Sequence, residues 1–202
     1  MFGLPENSII GKQLPKSAIY AKFAMNSAER EKFDADISRI AIANVVDKRH
    51  LTEGKNVKSI YVLTVQLKHK DYVTKNIVSL AKLIEQNIVF VLNFENETQL
   101  AVYCTRLITS DWQPSNDVTI PLNGLNLDIA WDNLVAKIGS IAVAEGNSVA
   151  EQIVKDDAQA KLIKQIEVLE KKARAEKQPR KKLELFEKLK ELKELKAKLL
   201  LL

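Results

Sequence analysis

The segment Ser148–Leu202 contains no glycine and one proline, Pro179, and is otherwise built mainly from Ala, Leu, Glu, Lys and Gln. Residues of that kind lose little on entering a helix, so the segment is committed to long helices. Ser148 followed three residues later by Glu151 has the spacing of a capping box and fixes a start. Ile153, Ala160, Leu162, Ile166, Leu169 and Ala173 supply an apolar stripe. From Leu162 onward its spacing of four, three and four is a heptad seam. Pro179 must end the first helix, and it is tolerated in the first turn of a second. Leu185, Leu189, Leu192 and Leu199 then resume the seam. The expected arrangement is an antiparallel helical hairpin, a short coiled coil, folded at Gln178-Pro179. The alternative is one proline-kinked helix in an intermolecular coiled coil. Those four leucines are also candidates for a partner interface.

Residues 1–145 read as a separate α+β globular domain, with residues 146–202 as the hairpin and Ala144–Asn147 as the hinge. Residues 1–16 form an arm or edge segment, and Ser17–Phe23 a short strand. Asn26 with Glu29 caps a helix whose buried stripe is Phe33, Ile37 and Ile40. Strands follow at Ile40–Val46 and Ser59–Lys68. Asp71 is placed to cap a helix over Tyr72–Gln86, and Ile88–Phe94 is a strand covered on both faces. It turns at Glu95–Glu97 into a long strand at Gln99–Thr109, and Val118–Leu122 adds an edge strand. Asn126 or Asp128 caps a last helix bearing Trp131, Leu134, Val135 and Ile138, stopped by Gly139. The fold expected is a mixed, mostly antiparallel sheet with two or three helices.

The charge is unevenly spread. The whole chain is formally +5, but Ala160–Leu202 carries 14 Lys and Arg against 7 acids, and residues 1–159 carry 17 against 19. The surplus peaks where the tail reverses. Lys171, Lys172, Arg174, Lys177, Arg180, Lys181 and Lys182 fall within twelve positions opposed only by Glu176. Such a tip suits sequence-independent contact with nucleic-acid phosphates, or else a solvated helix surface. No aromatic residue is interleaved to stack on bases.

Signals for catalysis are sparse. Gln66-Leu67-Lys68 at a strand end, with Asp36 or Asp47 upstream, has the residue types of a metal-dependent PD-(D/E)xK nuclease, in which carboxylates hold a divalent cation and the lysine steadies the attacked phosphate. A solvated strand end explains the triplet equally well. His50 and His69 are isolated and read as surface residues, so no metal site is expected. Cys104 reads as an inert buried thiol, and one cysteine cannot form an internal disulfide. Trp112 and Trp131 read as packing residues. No glycine-rich phosphate loop occurs, and no cofactor is expected. There is no secretory leader pattern and no run of about 18 apolar residues to cross a membrane, so a cytoplasmic location is expected.

The segments QLPKSAIYAKF, EKFDADISRIAI, VKSIYVLTVQLK, SLAKLIEQNIVFVL, QLAVYCTRL and EKQPRKKLEL form an ordered set. That set resembles a bacterial family known as domain of unknown function 4391, along nearly the whole chain. The resemblance implies small cytosolic proteins encoded beside DNA methyltransferases and helicases of restriction or phage-defence type. An accessory or adaptor role follows, with a larger methyltransferase- or helicase-type protein as partner. It implies no catalytic residues. Where many members carry an acid before the strand YVLTVQLK, this chain has Lys58-Ser59, which weakens the nuclease alternative. Self-association through a coiled coil is a third expectation.

Overall fold

A computed structural model describes residues 2–84, 86–143 and 148–199, with side chains in the last helix given to Ala197. The chain divides into two units, Met1–Val149 and Ala150–Leu202. The proposed hinge, residues 144–147, lies outside the described residues.

The first unit is built on one sheet with strands β1 (Ile9–Gln13), β2 (Ile37–Asp47), β3 (Ser59–Leu67), β4 (Asn87–Phe94), β5 (Glu97–Cys104), β6 (Arg106–Thr109) and β7 (Gln113–Pro114). The order is β1-β2-β3-β4-β5-β6, with β7 also on β5. Every pairing is antiparallel except β3 with β4, which needs the crossover helix between them. Among the described residues four α-helices accompany the sheet rather than two or three: α1 (Lys16–Lys22), α2 (Ser27–Asp36), α3 (Thr74–Leu83) and α4 (Leu127–Gly139).

One sheet face packs against α1, α2 and α3. Ile19, Phe33, Ile77 and Leu80 meet Ile40, Leu63, Val65, Leu67, Ile88, Phe90 and Leu92. The alternation in β3 is the cause, since Leu63, Val65 and Leu67 share that face. Helix α4 lies against β3, β5 and β6. It buries Leu127, Ala130, Trp131, Leu134, Val135 and Ile138.

Several local expectations are corrected. Residues 16–22 are helical, not a strand; Ile19, Tyr20 and Phe23 share one face of a helix, and the fully buried Ile19 is its anchor. Helix α2 carries the expected capping box but ends at Asp36, so Ile37 and Ile40 belong to β2. Gln99–Thr109 is not one strand. The chain folds back at Thr105, with Cys104 opposite Arg106. Thr105 holds φ 62°, a backbone region hostile to a β-branched residue, and paired strands on both sides impose it. Val118–Leu122 is irregular; Val118 and Ile120 are buried, and Ile120 N–H donates to Phe2 O at 2.9 Å. Asn126 rather than Asp128 caps α4, accepting from Ile129 N–H. Ser140, at φ 49°, makes the left-handed exit in place of Gly139. A Cβ on Gly139 would stand 2.7 Å from Ile108 Cγ2, so that glycine serves the close approach of α4 to β6.

Asp128 has a different task. Its carboxylate accepts the backbone N–H groups of Lys55 (2.7 Å), Asn56 (3.1 Å) and Val57 (2.7 Å), tying the β2–β3 connection to α4. Gly54 is required there, because a Cβ would collide with the Asp128 carboxylate and stand 2.8 Å from its backbone nitrogen. The hydrogen bond from Val57 N–H, with those from Lys55 and Asn56, outweighs burial and holds the Asp128 carboxyl below the usual carboxylate range. A depressed carboxyl contributes stability above its unfolded-state value, near 3.9, and that contribution is lost as pH falls through the folded-state value. Urea denaturation at a series of pH values below about 5 should therefore show a shallower acid loss of stability for Asp128→Asn than for wild type.

The second unit contains α5 (Val149–Ala175) and α6 (Pro179–Leu199). Leu162 and Ile166 of α5 cluster with Leu189 of α6, and Leu169 and Leu192 pack against them. Glu170 and Lys193 pair at 2.7 Å. No described helix is long and apolar enough to cross a membrane.

Candidate nucleic-acid interface

Two places were candidates from the sequence, and they differ sharply in geometry. At the sheet end, Asp36, Gln66 and Lys68 are brought together, since Lys68 N–H donates to Asp36 O at 2.8 Å and Arg39 pairs with Gln66. Asp47 is not. It ends β2 opposite Ser59, eleven residues from Asp36, about 35 Å away along an extended strand. Its partners are local: the carboxylate accepts from Arg49 Nη2 at 2.8 Å, and the backbone N–H donates to His50 Nδ1 at 3.2 Å. The hydrogen bonds from Arg49 hold its carboxyl well below the usual range.

Asp36 is 4% exposed and its carboxylate is fully engaged. Oδ2 accepts from Val73 N–H at 2.8 Å and Asn76 Nδ2 at 2.6 Å, while Oδ1 lies 3.3 Å from His69 Nε2. This is the cap of α3. Asp71, expected in that role, does not supply it: Val73 is the cap residue and its side chain makes no capping hydrogen bond. Asp34 is similarly engaged, accepting from Lys16 Nζ at 2.5 Å and Tyr20 OH at 2.6 Å. Burial pushes the Asp34 carboxyl up, but the bonds from Lys16 and Tyr20 and the nearby Lys68 charge more than offset it. Burial and the Asp34 bond in turn push the Tyr20 hydroxyl up to about 12.

The register leaves Arg39, Gln66 and Asn93 side by side across β2, β3 and β4. That row holds an arginine and two amides and no carboxylate. Among the described residues no group of three or more His, Cys, Asp and Glu is placed to hold a metal ion. His50 departs from expectation in another way, its side chain being 1% exposed with Nδ1 accepting from Asp47 N–H. Cys104 is half-buried, and burial, with Asp132 nearby, pushes its thiol up, so it is a poor nucleophile at neutral pH. Trp131 is buried and Trp112 packs on the helical-face core, with Lys70 5.4 Å over its ring.

The link between α5 and α6 is built differently. Lys171, Lys172, Arg174, Lys177, Arg180, Lys181 and Lys182 are all exposed. Two have intrahelical acidic neighbours at long range, Arg174 with Glu170 at 3.9 Å and Arg180 with Glu184 at 3.8 Å. Glu176, the one acid inside the cluster, uses Oε1 to accept Gln178 N–H at 2.9 Å, which fixes the link between the helices. Gln178 O then accepts from Lys182 N–H at 2.9 Å as α6 begins at Pro179. Lys172 and Arg174 complement the negative end of α5. The first turn of α6 has no acid and carries Arg180, Lys181 and Lys182 after Pro179, which oppose the positive end of that helix.

A family model described as domain of unknown function DUF4391 matches residues 2–195. The chain belongs to that family. The match spans the sheet, its helices, α5 and most of α6, so the basic cluster at residues 171–182 lies inside the family's extent. Comparisons with curated proteins and with solved structures gave no match.

The expected partner leucines divide on inspection. Leu189 is 6% exposed and Leu192 half-buried against α5, and Leu185 is half-buried. The side chain of Leu199 lies outside the described residues. Sequence reasoning missed the apolar side chains that do face solvent here, Val168 at 47%, Leu183 at 62%, Phe186 at 45% and Leu195 at 49%. Leu183 and Phe186, and Phe186 with the later Lys190 and Lys193, sit at three- and four-residue spacings on one side of α6, a pattern available in the sequence but hidden by the stronger Leu185–Leu192 seam.

Proposed function

We propose that this chain is a non-enzymatic accessory subunit of a bacterial, cytoplasmic DNA-acting assembly of restriction or phage-defence type. Its α+β unit is a scaffold. Its two C-terminal helices close as an antiparallel coiled-coil hairpin that meets nucleic-acid phosphates at the reversal and a larger protein, of methyltransferase or helicase type, along its flank.

The observation that carries the reading is the reversal itself. Seven exposed cations surround it, and three of them face the positive end of α6 without an acid in that turn. Bringing a phosphate there relieves repulsion that the free chain sustains. Hairpin closure is supported by the Leu162–Ile166–Leu189 cluster and the Glu170–Lys193 pair. Were α6 to continue the direction of α5, Leu189 would stand about 35 Å from Ile166, given 1.5 Å per residue.

Loss of nucleic-acid retention on charge reversal at the tip tests this reading. A second expectation concerns the scaffold. A chain truncated after Val149 should still unfold cooperatively in urea, because its core draws on residues of the first unit. An aggregating or non-cooperative truncation would mean that the C-terminal helices complete that core.

A further inference from the structure

Two helices side by side make a seam but cannot bury both flanks of it. On one flank the α5–α6 pair leaves a groove of about 560 Å³ whose floor is Val168, Leu169 and Leu192. Val168 is 47% exposed, and Leu192 is half-buried. The rim carries Lys161, Lys164, Lys172 and Lys188, opposed by one acid, Glu191. From Lys161 to Lys172 the groove runs about 16 Å, three helical turns. Parallel apolar floor and charged rims of that length match an amphipathic helix laid lengthwise, with its own apolar stripe down.

The rim decides the occupant. A second copy of this chain related by a two-fold axis would set one lysine-rich rim against another, which costs free energy at an interface being desolvated. A helix with acids flanking its apolar stripe makes opposite-charge pairs with Lys161, Lys164 and Lys172 along the α5 edge and with Lys188 on the α6 edge, as e and g positions do in coiled coils. We propose that this groove is the docking site for an acidic amphipathic helix of the partner protein, converting the hairpin into a three-helix bundle. The proposal rests on hairpin closure as read above and names the chemistry of the partner surface.

The test uses the full chain and two labelled 21-residue peptides. Both have leucine at heptad a and d positions and Ala and Gln at b, c and f; one has Glu at e and g, the other Lys. Fluorescence anisotropy at near-physiological salt should show the Glu peptide binding at least tenfold more tightly than the Lys peptide. Val168→Lys, at an exposed position, should weaken the Glu peptide at least tenfold with helicity unchanged by circular dichroism. Lys161→Glu, Lys164→Glu and Lys188→Glu together should reverse the preference between peptides. A tip variant with Lys177, Arg180, Lys181 and Lys182 changed to Glu should bind the Glu peptide within about threefold of wild type. Equal binding of both peptides, insensitivity to Val168→Lys, or loss on tip reversal would overturn the proposal, as would a sedimentation dimer that Val168→Lys dissociates. Closure is read in the same samples by zero-length carbodiimide cross-linking of Glu170 to Lys193. A cross-linked chain that fails to bind sinks the groove alone, and absence of the cross-link sinks the hairpin and the groove with it.

Discussion

Changing Lys177, Arg180, Lys181 and Lys182 to glutamate is expected to abolish retention of the chain on DNA or RNA, a loss of at least 100-fold in a mobility-shift titration at about 0.1 M salt. Four cations become four anions within six residues of chain, all at exposed positions. For duplex DNA, log affinity falls with log salt by about 0.9 for each phosphate neutralised. The wild-type slope therefore counts the contacts, and the variant slope should fall toward zero. The stability of α6 should move the other way, because acids replace cations in its first turn. A variant that melts no lower than wild type yet fails to bind separates phosphate contact from misfolding. Unchanged retention would remove the tip from the mechanism.

Asp36→Ala should cost about 2–4 kcal/mol in urea denaturation, because a cap is lost and a buried donor pair is left without an acceptor. Val73 N–H and Asn76 Nδ2 both donate to Asp36 Oδ2, and the side chain is 5% exposed. Asp36→Asn keeps one acceptor oxygen and should lose less. A metal-ligand role predicts a different outcome. The asparagine variant would then keep its stability, lose a magnesium-dependent cleavage of duplex DNA, and lose any rise in melting temperature on adding magnesium or manganese. The observed geometry favours the capping outcome, since both Asp36 carboxylate oxygens are engaged within the fold and, among the described residues, no group of three or more His, Cys, Asp and Glu is placed to hold a metal ion.

What was legible in the sequence is what local physics settles. The Asn26–Glu29 capping box, the Asn126 cap, the start of α6 at Pro179 and the strands β3 and β4 depend on residues within a few positions of one another. Alternation placed Leu63, Val65 and Leu67 on one face, and charge counting placed the basic surplus around the α5–α6 link. Where two readings shared one local pattern, the sequence was silent. Residues 16–22 alternate passably as a strand, yet burying Ile19 beneath α2 and α3 makes them a helix. The run from Gln99 to Thr109 is strand-like throughout, and its fold-back at Thr105 exists because β6 finds β5 as a partner.

The candidate site divides in the same way. Composition alone located the seven cations of the tip, because like charges close in sequence stay close in space whether the chain bends or not. Which carboxylates were free for chemistry was decided by the tertiary structure. Asp36 caps a helix that begins almost forty residues later, and Asp128 holds a loop more than seventy residues earlier. The exposure of the seam was decided there too: Leu189 is buried in a cluster with Leu162 and Ile166, while Val168 and Phe186 face solvent. Helix ends and periodic faces are settled within a turn or a strand. The choice of which polar group meets a distant donor, and which apolar side chain is left facing water, waits until the elements have packed.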